Sequence, residues 1–165
     1  MRGRSPTPLL RAVWLVKTLG GINSPAIATN NSKLLPKPES RSLIEWVRTI
    51  NAYPEPDAYS GQAANISGFV LHLPELPENY VMLSRFVVTC CAVDAYPIGI
   101  PVKLETSRSN YPVDSWLRVQ GVMSEETISV KDRVDDQVVK QKRSVVLNGQ
   151  SIKTIPTPAD PYSYR

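Results

Sequence analysis

The spacing of apolar positions divides the chain into a short helical segment and a longer strand-forming one, with the change near Gly61. Leu43, Trp46, Val47 and Ile50 recur at helical spacing and form one apolar stripe. Ser42-Leu43-Ile44-Glu45 fits a capping box, in which the Ser42 hydroxyl accepts from the Glu45 N–H and the Glu45 carboxylate reaches back. Asn51 and Pro54 close this helix, and Tyr53-Pro54-Glu55-Pro56-Asp57 predicts a rigid, extended connector.

Beyond Gly61 the period is that of strands, expected at Gln62–Leu73, Tyr80–Cys90, Ile98–Glu105, Ser115–Ser124 and Ser144–Thr154. Pro74–Asn79 is a proline-marked turn. Gly68 falls mid-strand, where a small barrel needs a kink or a close backbone approach. Five strands, glycines within the first and fourth, and a linker between the third and fourth predict a mainly β fold: a five-stranded OB-like barrel preceded by one short α-helix. The charged stretch Glu125–Lys142 is expected to be a protruding hairpin loop between the fourth and fifth strands.

Residues 1–40 show little periodicity and are expected to be a mobile leader or the remnant of a membrane or signal segment, leaving 41–165 as the OB-like domain. Pro8–Leu19 is apolar, but Arg11 and Lys17 interrupt it and it falls short of the ~18–20 residues of a membrane span. Ala26-Ile27-Ala28 resembles a signal-peptidase site, although those two cations sit where a signal's apolar core belongs.

Composition adjusts this picture only slightly. A hydrophobic content of 42% and a charged content of 21% suit a globular domain. The 15 prolines gather at the ends and between apolar runs, and the remaining ~120 residues can bury one core without disulfides or a metal. The net charge of +4 is dispersed, with Lys140–Arg143 offset by Asp132, Asp135 and Asp136. A nucleic-acid surface needs a concentrated basic face with aromatics interleaved, so no nucleic-acid partner is expected. The pattern gives no strong sign of a homo-oligomer.

The most unusual chemistry lies in Ser84-Arg85-Phe86-Val87-Val88-Thr89-Cys90-Cys91-Ala92-Val93-Asp94-Ala95. Cys90 and Cys91 are soft ligands that suit zinc or copper(I), and His72, the sole histidine, could join from the first strand. Neighbours on an extended chain point to opposite faces, so both cysteines meet one ion only if the backbone turns there. The alternatives are Cys90 as a small buried hydrophobe with Cys91 in a turn, or the pair as a redox element. Arg85 and Asp94 could pair across the barrel mouth as a ligand fork or as a structural ion pair. Trp116, Tyr96, Tyr111 and Phe69 could form a base-stacking platform, with core and rim packing the commoner role. Glu125-Glu126 and Asp135-Asp136 read as solvated charge, and no nucleophile, metalloprotease or phosphate-loop motif occurs. The chain is therefore expected not to be an enzyme.

Several stretches together resemble a bacterial family, the YcgQ-like proteins, in the form of its cyanobacterial members. They are Arg41–Thr49, Tyr53–Gly61, Ser84-Arg85-Phe86, Cys90–Pro97 and the closing Ile155-Pro156-Thr157-Pro158, and they cover about residues 40–165. The resemblance implies the C-terminal domain of an accessory subunit of a two-component membrane permease, membrane-associated and extracytoplasmic, with a metal-related role. Carried onto this chain, the signature residues are Arg85, Cys90, Cys91 and Asp94. Two other readings stand beside it: an OB-type binder of single-stranded nucleic acid, and a thiol redox protein using Cys90 and Cys91.

Overall fold

The computed structural model describes residues 37–88, 94–131 and 138–164. A 3-10 turn at Pro38–Ser40 leads into helix α1 (Leu43–Ala52). Its N-terminus is the expected capping box: the Ser42 N–H donates to Glu45 Oε2 at 2.7 Å, and the Glu45 N–H donates to Ser42 Oγ at 3.3 Å. The connector that follows is not wholly extended, because Pro56–Tyr59 coils into a second 3-10 turn. That turn has a purpose in the packing. The Tyr59 hydroxyl donates to the carbonyls of Thr49 (3.0 Å) and Tyr53 (2.7 Å), closing the end of α1.

Among the described residues six strands follow: β1 (Ala63–Leu71), β2 (Tyr80–Val88), β3 (Tyr96–Lys103), β4 (Trp116–Lys131), β5 (Val138–Ile155) and β6 (Tyr162–Tyr164). The fold is mainly β, a mixed sheet of five principal strands plus one helix, with the short β6 added at an edge. Neighbours run β1-β4-β5-β3-β2, and β1 also pairs with β2 through Phe69↔Ser84, Val70↔Leu83 and Leu71↔Met82. The β3–β5 and β2–β6 pairings are parallel and the rest antiparallel.

The main core lies inside this sheet, from Val70, Leu83, Val102, Leu117, Val119 and Leu147, with Leu43, Trp46 and Val47 of α1 packed into it. Gly68 makes the β1–β2 junction close: a Cβ there would stand 2.4 Å from the Ser84 carbonyl oxygen. Gly121 does the same beside the register shift of β4, 1.9 Å from the Asn148 oxygen.

The expected loop at Glu125–Lys142 is corrected by the structure. β4 continues to Lys131 and β5 begins at Val138, so most of that stretch is a two-stranded arm. Its charges made it look like a loop, but two of them, Glu125 and Glu126, are held in ion pairs within the fold. Glu126 accepts from Lys103 at 2.8 and 3.0 Å and from the Tyr80 hydroxyl, while Arg143 bridges Glu125 and Asp57. Ile128 of the arm packs with Leu76, Tyr80 and Val146 in a second, smaller apolar cluster. No helix among the described residues is long and apolar enough to cross a membrane.

Candidate functional site

The candidate site is the far end of β2, where Arg85 precedes the Cys90-Cys91 stretch and Asp94 precedes β3. Strand alternation alone would leave a cation at position 85 facing an apolar interior. The long side chain instead reaches β1, where Nε donates to the Ser67 carbonyl oxygen and Nη2 to Ser67 Oγ, each at 3.0 Å. Its guanidinium carbon lies 4.9 Å from the centre of the Trp116 ring, a stacked cation–π contact. Burial lowers the guanidinium pKa, and the charge of Asp160 partly offsets this.

An aromatic row supports this corner. Phe69 stacks on Phe86 (4.6 Å between centres), Trp116 tilts against Phe69 (5.8 Å), and Tyr162 of β6 leans on Phe86 (5.8 Å). Phe69 and Trp116 are buried, at 4% and 7% exposure, so they cannot stack bases in this form. Tyr96 and Tyr111, the other members of the expected platform, pack instead at the margin of the main core. The four do not make one platform.

His72 is not part of the corner. Leu71 faces Met82 in the β1–β2 register, so His72 leaves the ladder roughly 10 Å or more of strand away from Arg85. Its Nε2 lies 2.8 Å from the Tyr111 carbonyl oxygen. A carbonyl only accepts, so Nε2 donates in this contact. Asp94 is exposed at the entry to β3 and is not without a partner. Cys90 and Cys91 lie outside the described residues. Among the described residues no group of three or more His, Cys, Asp or Glu side chains could hold a metal ion.

Three groups at the base of the β4–β5 arm have displaced pKa values. Burial raises Glu126, but the hydrogen bonds from Lys103 and Tyr80 and the charge of Lys103 outweigh it and leave the pKa lowered. Tyr80 is raised by burial and by its bond to Glu126. Glu125 is held down at about 2, above all by the Arg143 hydrogen bond. Sequence reasoning missed Ser67, Trp116 and Asp160 as neighbours of Arg85. Only the strand register joins them, and the single available signal was the cation itself within an apolar strand.

The chain belongs to the DUF1980 C-terminal domain family, whose model matches residues 29–165. No curated protein matches the chain.

Proposed function

We propose that this chain is a non-enzymatic binding domain, folded as an OB-type barrel, that serves as an accessory subunit of a membrane permease complex and takes its ligand or partner at the Arg85–Asp94 end. The observation that carries this reading is the Arg85 corner. A half-buried guanidinium, tied to Ser67 and laid on Trp116, sits on the strand that leads to Cys90 and Cys91. Two of its five donors go to Ser67, and a fork held in this way is suited to a carboxylate or thiolate-rich ligand.

The barrel reading is supported by the pairing cycle β1-β2-β3-β5-β4, which returns to β1 with a parallel β3–β5 junction. The non-enzymatic reading rests on the sequence, which carries no nucleophile, metalloprotease or phosphate-loop motif. The accessory-subunit role rests on the sequence resemblance, and zinc is the metal favoured by the cysteine pair.

The test is zinc content and zinc affinity of the purified chain beside its Cys90→Ser/Cys91→Ser variant, together with co-purification against the cognate permease. Stoichiometric zinc lost in the variant and permease capture lost on Arg85→Ala would support the proposal. Equal zinc in both proteins, with no capture of the permease, would sink it.

A further inference from the structure

The outward face of β5, β4 and β1 carries a row of cations that the fold itself does not explain. Register sets Lys153 directly opposite Arg118, and Arg118 directly opposite Ser67. Directly opposed residues share a face, with Cβ atoms ~4.5–5.5 Å apart. Arg118 and Lys153 are both exposed, and among the described residues neither is in an ion pair. Arg85 completes the row from the other side, since its Nη2 donates to the Ser67 hydroxyl. Like charges directly opposed across a ladder destabilise a sheet. The Arg118–Lys153 pair is therefore a cost that an anion seated between them would remove.

The same face continues into a groove. Two residues along from the Ser67–Arg118 pair stands Asn65–Gln120, and these line a shallow cleft of about 490 Å³ with Gln150, Glu39 and a floor of Ala63 and Val122. Carboxamides both donate and accept hydrogen bonds, which suits hydroxyl-bearing groups. Glu39 is a carboxylate at the groove, and the charge of Asp160 acts on Arg85. Cations at one end and carboxamides at the other describe a site for a charged head on a polar body.

We infer that this face binds a phosphate group carried on a polyol, with Arg118 and Lys153 holding the phosphate and the Asn65–Gln120–Gln150 groove holding the hydroxyls. This site adjoins the Arg85 corner through Ser67 but is built from other side chains, and its test leaves Arg85 and the cysteines untouched. Failure here therefore leaves the permease reading standing, and the reverse.

The experiment uses the full chain and two probes. Flotation with phosphatidylglycerol vesicles, against phosphatidylcholine vesicles, reads a lipid headgroup as the source. Calorimetric titration with glycerol 3-phosphate reads a soluble one. Binding in either arm should weaken about fivefold for Arg118→Ser or Lys153→Ser and about 25-fold for both together. Arg48→Ser, which removes an equally exposed cation from α1, should change it less than about twofold. No binding in either arm overturns the inference, as does binding that the three variants alter equally. Tighter binding of a single-stranded oligonucleotide, lost in the same two variants, would overturn it in favour of a nucleic-acid face.

Discussion

Replacing Gly68 by alanine tests whether the close β1–β2 junction holds the sheet together. A Cβ at this position would stand 2.4 Å from the Ser84 carbonyl oxygen and 3.1 Å from Leu83 Cγ. Carbon–oxygen contacts between strands settle at ~3.3–3.6 Å, so the two backbones must part by roughly 1 Å. The obstacle is main chain, so no rotamer change relieves it. The strain falls beside a junction of three residue pairs and beside the Phe69–Phe86 stack at 4.6 Å. Overpacking costs ~1–3 kcal/mol where side chains can give way, which places this substitution near about 3 kcal/mol. With a urea slope of ~2 kcal/mol/M, the unfolding midpoint should fall by about 1.5 M at unchanged slope. Gly61 supplies the contrast. It has open space around it but a φ of 83°, so Gly61→Ala costs only the ~1–2 kcal/mol of a left-handed residue, and Gly61→Asn less. A Gly68→Ala midpoint within about 0.3 M of the parent would refute the reasoning, because the junction would then be loose enough to move.

Three other substitutions probe separate parts of the fold. Ser42→Ala removes one half of the capping box and should cost about 1 kcal/mol in the same urea assay, with an unchanged midpoint counting against the cap. Glu126→Gln should cost about 1–2 kcal/mol at pH 7, a figure held low because the Lys103 side chain is 40% exposed. The Glu126 pKa is lowered from 4.5, so its contribution is whole above that pH and fades as the pH falls through the folded value. The parent and the variant should therefore converge on acidification, and a constant gap from neutral pH to pH ~3 would contradict the linkage. Lys153→Glu replaces a repulsive cross-strand pair with an attractive one. Thermal unfolding should show a gain of ~0.2–1 kcal/mol while phosphate binding is lost, and a loss of stability would mean that the opposed cations are not a cost.

Local signals carried the reading of the chain where the information was local. The capping box, the α1 stripe and the need for a close approach at Gly68 were legible because each depends on a few neighbouring residues. Strand ends moved by a few positions, as with β3, expected from Ile98 and observed from Tyr96. The β4–β5 arm was missed because Glu125, Glu126 and Arg143 look solvated until Lys103, Tyr80 and Asp57 are brought to them by folding. β6 was missed for a similar reason. Its three residues, Tyr162–Tyr164, follow a proline-rich stretch and are too short a run to read as a strand until Phe86–Val88 offers an edge. At the site, Arg85 was legible as an oddity, while its tether to Ser67 depends on the β1–β2 approach, which no spacing reveals.

The parallel β6–β2 pairing also sets an order in time. On one side β2 is sealed by β3, which follows it closely in the chain, but its other edge at Phe86–Val88 is closed by Tyr162–Tyr164. At ~5–20 residues per second of synthesis, that edge stays open for roughly 4–15 s after β2 is made. For that interval a nascent chain presents unpaired backbone beside Phe86, on the strand that leads to its cysteines, to whatever stands at the ribosome exit. Among the described strands, it is thus β6 that shields the Phe86–Val88 edge from strand-pairing strangers.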